Sequence, residues 1–240
     1  MAQVIPESWQ VPQRFRQRVG ASAGRQRAMH DGGHLLLILH DVPKPGDDER
    51  APRIFWRAPD GSFKAKESRG DGLPSLKRHV EGFKAAVHDL DEKVDRAKLA
   101  EEIYQVLRAA SPLARTTRNL HKALQEAREG IEDKDIISLR DAAGEIERTA
   151  ELVVSDAKNA LDYLEAKAAE EQAAFAKKTA EAQHRLNLLA ALFFPITAIG
   201  SVLGIELTKG LESQGAWLFW GIVIASLVVG VAVRASVNKG

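Results

Sequence analysis

Residues 186–205 read LNLLAALFFPITAIGSVLGI, twenty residues without a charged side chain. As a helix rising 1.5 Å per residue this run is about 30 Å long, the thickness of a bilayer's hydrocarbon core. A second uncharged run, AWLFWGIVIASLVVGVAV, occupies residues 216–233 and spans about 27 Å. Trp217, Phe219 and Trp220 lie at its start, where aromatic rings prefer the headgroup level. Two such runs with a short polar loop between them predict a pair of C-terminal transmembrane helices. The expected division is 186–207 for the first, 208–215 for an outside loop, 216–235 for the second and 236–240 for a tail.

The charge distribution supports this division. The 240 residues hold 34 Lys and Arg against 33 Asp and Glu, a net charge of +1. That balance speaks against a nucleic-acid-binding surface. Only Glu206, Lys209, Glu212, Arg234 and Lys239 fall in residues 186–240, so nearly all the charge lies upstream. Lys177, Lys178 and Arg185 precede the first run, and Arg234 and Lys239 follow the second. The positive-inside rule then predicts cytoplasmic termini in a cell inner membrane. No Cys is present, which removes disulfides, thiolate metal sites and Cys nucleophiles. No nucleophile–base arrangement or Gly-rich phosphate loop appears, and an enzyme is not expected.

The first run has two faces. Gln183, Asn187, Ala190, Phe194, Thr197, Ser201 and Gly204 recur at steps of three and four and form one stripe. Leu188, Leu192, Ile196, Ile199 and Leu203 stand opposite. Polar residues in a membrane helix face a protein interior or a water-filled path. The Gly200–Gly204 pair equally suits close helix packing, and the two readings remain open on periodicity alone. Pro195 removes one backbone hydrogen bond inside the run. The second run lacks a polar face and reads as an outer, lipid-facing helix.

Upstream, residues 133–207 contain Pro195 as their only proline and are rich in Ala, Glu, Lys and Leu, predicting one helix of about 75 residues, roughly 110 Å long. Leu139, Ala143, Ile146, Ala150, Val153, Ala157, Ala160 and Leu164 form a heptad seam along it. Two further helices are expected, over 74–110 and 112–129, separated at Ser111–Pro112. With the long helix they form a bundle over 73–185.

Residues 1–72 read as a small β-containing cap. Segment 34–40 (HLLLILH) predicts a buried strand, and 53–58 and 62–66 flank a Pro59-Asp60-Gly61 turn. Residues 41–52 read as a loop. Residues 1–30, with five Arg from Arg14 to Arg27, are expected to be poorly ordered, or to lie on anionic lipid or a partner. His34 and His40 are about 20 Å apart on a strand and do not share an ion. His30 and His34, with Asp31 and Asp41, remain a weak metal candidate.

The whole pattern resembles the CorA-type divalent-cation transporters. The likeness is sharpest at Phe193-Phe194-Pro195-Ile196-Thr197, followed by Gly204-Ile205-Glu206 where that family carries Gly-Met-Asn. It extends more loosely back to about residue 74 and forward through the second run. The resemblance implies a mainly α membrane protein: a small α/β cap, a cytoplasmic bundle, and a long stalk helix continuing into the first of two spans. It implies a homopentamer with the first span lining a central pore and the second outside. Thr197 and Gly204 match pore positions. Gly204, Ile205 and Glu206 match the selectivity mouth, with Glu206 as the expected metal residue. Asn187, Phe194 and Ser201 join the pore lining from the stripe.

A pentamer would place five Glu206 carboxylates in one ring, which attracts cations and raises some of their pKa values. A carboxylate also binds metal directly, and Mg²⁺ gives up water reluctantly, so ion choice is expected to differ from the family's. The cap is shorter than in CorA-type members. Glu145 and Glu147 are weak candidates for cation ligands between subunits. The leading expectation is transport of Mg²⁺, or of Zn²⁺, Co²⁺ or Ni²⁺, with no cofactor. The alternatives are a CorA-like membrane effector or sensor gated through the cytoplasmic domain, and a structural coiled-coil anchor without a pore.

Overall fold

The computed structural model describes residues 4–20, 22–44, 51–66, 68–206 and 216–237, apart from the side chains of 68–71, 202–206 and eight positions in the last helix. It is mainly helical, with a small N-terminal sheet and one very long helix. The chain divides into two compact units, Met1–Ala166 and Lys167–Gly240.

The first unit opens with a short helix α1 (Gln13–Arg18) and a five-stranded antiparallel meander. Its strands are β1 (Arg27–Asp31), β2 (His34–His40), β3 (Pro52–Arg57), β4 (Phe63–Ala65) and β5 (Ser68–Asp71), paired in sequence order. Gly32 and Gly33, both with positive φ, form the two-residue turn between β1 and β2. Strand β2 is apolar without alternation because both of its faces are covered. Leu35, Leu37 and Leu39 join Phe55 and Phe63 in a core shared with the helices. Leu36 and Ile38 join Ile54 and Trp56 in a second core on the other face.

That second core is closed by the N-terminal segment, which corrects the expectation of disorder. Ile5, Trp9, Phe15 and Ala23 are buried against the sheet. Arg16 holds the segment by donating to the carbonyls of Pro6 (2.9 Å) and Trp9 (2.8 Å). Arg14 pairs with Asp31 at 2.5 Å. These arginines are spent on the chain's own backbone and carboxylates, a use that composition does not reveal.

The sheet leads into α2 (Gly72–Arg96), α3 (Ala100–Gly130) and the 73-residue α4 (Lys134–Glu206). Helix α3 runs straight through Pro112, so the expected break at 111–112 is wrong. Pro112 forfeits one i→i−4 bond, but 31 residues and a buried face outweigh it. The break falls instead at 97–99. There the backbone N–H groups of Lys98 (2.8 Å) and Leu99 (3.1 Å) donate to the Glu102 carboxylate, which those bonds hold below the usual range. Leu99 offers no side-chain acceptor, so only this half of a capping box exists.

Asp133 caps α4. Its Oδ1 accepts from the N–H of Asp135 at 2.9 Å, and its Oδ2 accepts from Arg57 Nε at 2.6 Å. The heptad seam faces the core from Leu139 to Ala157, while Ala160 and Leu164 are half-buried. Beyond it, residues 165–187 of α4 are exposed on every side.

The second unit holds the rest of α4 and α5 (Ala216–Val237). The two helices meet where Gly230 lies against Leu192. A Cβ at 230 would sit 3.0 Å from the Leu192 carbonyl oxygen. Ser226, one turn before Gly230, is also buried. Small residues four apart on α5 thus admit α4 closely.

Among the described residues no helix is long and apolar enough to cross a membrane, a departure from the two expected spans. The first run is diluted by Asn187, Pro195, Thr197 and Ser201. The residues that would complete it, 202–205, and three of the most apolar in α5, Leu218, Phe219 and Ile222, lie outside the described side chains. The expected outside loop, 208–215, also lies outside the described residues.

Candidate functional site

The stripe on α4 is built by helical spacing alone. Asn187, Phe194, Thr197 and Ser201 are all exposed, Phe194 by 71%. Leu188, Leu192, Ile196 and Ile199 on the opposite side are half-buried. Within this unit, α5 packs on the apolar side of α4 at Leu192, and these four stripe positions stay open together with Leu186, Leu189 and Phe193, while Ala190 of the stripe is half-buried. Gly204, Ile205 and Glu206 form the last residues of α4, and their side chains lie outside the description.

The hydroxyls on the stripe are already satisfied as donors. Thr197 Oγ1 donates to the carbonyl oxygens of Phe193 and Phe194, each at 3.0 Å. Ser201 Oγ donates to the Thr197 carbonyl at 2.8 Å. Such back-bonding lets a hydroxyl sit on a helix in apolar surroundings without an orphaned proton. The oxygen lone pairs remain available as acceptors. Pro195 sits between these groups and frees the Ala191 carbonyl, which gains no N–H from position 195.

The other candidates fall into intramolecular roles. Glu147 accepts from His121 Nδ1 at 2.6 Å and pairs with Arg118 at 3.4 Å, while Arg118 also binds Glu151. This α3–α4 cluster is drawn close by Gly144, beside which the His121 ring lies. Glu145 is exposed. His34 Nδ1 accepts from Trp56 Nε1 at 3.2 Å, and His40 Nε2 lies 2.8 Å from the Gly24 carbonyl oxygen. Asp31 and Asp41 are taken by Arg14 and Arg53. Among the described residues no group of three His, Asp or Glu side chains is placed to hold a metal ion.

No family model matches the chain, and no curated relative matches it in sequence. Solved structures do match. One is the crystal structure of the ZntB cytoplasmic domain from Vibrio parahaemolyticus, 13% identical over 67% of this chain and 80% of that one, with a TM-score of 0.52. Another is the full-length CmaX protein, 11% identical over 95% and 83%, with a TM-score of 0.50. The CorA magnesium transporter from Methanocaldococcus jannaschii aligns over 92% and 84% at 12% identity, with a TM-score of 0.37. The likeness is one of fold: the chain shares the fold of the ZntB cytoplasmic domain and of CmaX.

Proposed function

We propose that this chain is a metal-cation channel or transporter rather than an enzyme, with Mg²⁺ the first cation to test and Zn²⁺, Co²⁺ and Ni²⁺ next. The observation that carries the reading is the open polar stripe of α4 opposite an apolar side packed against α5. A helix with those two faces suits the inner wall of a ring of subunits. Two long uncharged runs and the exposure of Leu186, Phe193, Trp217, Ile224 and Val228 support placing both helices in a bilayer. On this reading the protein is a homopentamer in the cell membrane with both termini cytoplasmic. Residues 1–72 and 73–185 form its cap and bundle, and 186–207 line the pore through Asn187, Phe194, Thr197, Ser201 and Gly204. Residues 208–215 lie outside, and 216–235 form the outer helix. Five Glu206 carboxylates stand at the mouth beside Gly204 and Ile205 and supply the cation-attracting field.

The test is Mg²⁺ uptake into liposomes containing the purified chain, with Thr197→Leu beside wild type. Uptake by wild type that the leucine ring blocks is expected. An intact, correctly folded oligomer that passes no divalent cation overturns it. Glu206 in place of the family's Asn favours one second reading, a CorA-like effector whose pore opens when the cytoplasmic domain binds a ligand or partner. That protein would be silent in the same liposomes until the ligand is added.

A further inference from the structure

Just before the uncharged run, α4 changes the sign of its charge. Residues 165–171 hold three Glu and one Lys, whereas 172–185 hold Lys177, Lys178 and Arg185 against a single acid, Glu181. All four, and His184 beside them, are exposed. On α2, exposed cations take a carboxylate one turn away, as Lys93 does with Asp89 and Arg96 with Glu92. Glu181 lies four residues from both Lys177 and Arg185, yet it pairs with neither among the described residues. Three cations are thus left unanswered at one end of the run.

Helical spacing puts them on a definite side. Lys178, Arg185, Leu192 and Ile199 follow one another at seven residues, two turns each, and share one line of α4. Lys177 and His184 run beside that line. Leu192 is where α5 packs, its carbonyl against Gly230. The cations therefore continue the apolar side of α4, opposite the stripe of Asn187, Phe194, Thr197 and Ser201. On the proposed ring that is the outer side, away from the pore.

Their depth matches a headgroup layer. Arg185 directly precedes Leu186, and Lys177 lies eight residues further back, about 12 Å along the helix. Headgroups occupy about 5–8 Å on each side of the hydrocarbon. Their potential decays over about 8 Å at physiological salt. Arg185 and His184 then stand among the headgroups. The two Lys stand within reach of that charge, on stems long enough to snorkel toward it. A phosphodiester carrying a net negative charge fits this surface. The Arg185 fork can take two of its oxygens, and each Lys adds a point charge. A zwitterionic headgroup brings its own ammonium and is already answered.

We propose that Lys177, Lys178 and Arg185, with His184, form a binding surface for anionic phospholipid on the outer flank of α4, at the cytoplasmic boundary of the membrane. The inference rests on the membrane placement of α4 and is independent of what the pore conducts.

The test reconstitutes the full chain into phosphatidylcholine bilayers holding a minor fraction of phosphatidylglycerol. Floated liposomes show whether the chain has inserted. The protein is then extracted in mild detergent, and the lipid that stays bound is quantified by mass spectrometry. Phosphatidylglycerol is expected to be enriched over its share of the bilayer, less so as salt rises. Lys177→Gln/Lys178→Gln/Arg185→Gln is expected to cut that enrichment by about tenfold or more, since one cation at an anionic surface is worth about fivefold in affinity. Arg108→Gln/Arg115→Gln, a change of two exposed cations on α3, is expected to leave it unaltered. The proposal is overturned if inserted wild type holds the two lipids in bilayer proportion, if the triple variant stays enriched, or if the α3 variant loses as much. A chain absent from the floated liposomes overturns the membrane placement itself, a failure this readout keeps separate.

Discussion

The two units use the same apolar residue types in opposite ways. In Met1–Ala166, Leu35, Leu36, Ile38, Phe83 and Leu120 are fully buried by their own chain. In Lys167–Gly240, Phe194 and Trp217 are each 71% exposed and Val228 61%. Large exposed apolar side chains gathered on two helices mark a surface that something else covers. The first unit solves the hydrophobic problem internally with three layers: helices, sheet and N-terminal segment. The second leaves it to its surroundings, and on the proposed reading those are lipid outside and neighbouring copies within. Within one chain, solvent rather than composition decides which side of a helix is the interior.

Substitutions separate the two regimes. The largest effect is expected for Phe83→Ala, which opens a cavity in a closed core and costs about 3–5 kcal/mol in chemical denaturation. Phe193→Ala, at an exposed α4 position, changes denaturant stability of the first unit by less than about 0.5 kcal/mol. An equal loss for both would erase the distinction. Next comes Ile224→Arg. If α5 lies in lipid, an arginine there costs roughly 3 kcal/mol of insertion and depletes the membrane fraction. If α5 meets water instead, the same change leaves fractionation unaltered.

Acidification probes the first unit through His79, whose pKa burial pushes down. His79 protonates at about 4 in the folded chain and near 6.5 when unfolded. The unfolded state therefore binds more protons between those values, and stability falls as pH drops through that window. The expected loss between pH 7 and pH 5 is about 2 kcal/mol, seen as a lower urea midpoint. His79→Phe flattens that dependence. A smaller effect, about 1 kcal/mol, is expected for Gly230→Ala, whose methyl would press on the Leu192 carbonyl and loosen the α4–α5 contact. Thermal shift of the detergent-solubilised chain reads it.

Much of this architecture is legible in the residues. The unbroken HLLLILH run marks a strand covered on both faces, and the 4-3 seam marks the buried edge of α4. Other features depend on partners distant in sequence. The 97–99 break is capped from downstream by Glu102, with no Ser, Thr, Asn or Asp to announce it. Pro112 misleads because a long amphipathic helix tolerates one lost bond. The N-terminal segment has no period; Arg16 reading carbonyls seven to ten residues away gives it order. The α4 stripe was readable because its members sit three and four apart. The surroundings of His79 were not, since Phe55 and Asp41 come beside its ring only after the sheet has formed.

The most direct test uses the absence of Cys from the chain. Thr197→Cys and Ser201→Cys on the stripe, and Leu192→Cys and Ile196→Cys opposite, each place one thiol in an otherwise inert background. The reconstituted protein is then treated with a charged, membrane-impermeant thiol reagent, with and without Mg²⁺. A water-filled cation path along α4 predicts fast labelling at 197 and 201, slowed by Mg²⁺, and none at 192 and 196. Equal labelling of both pairs, or labelling of neither, would contradict it.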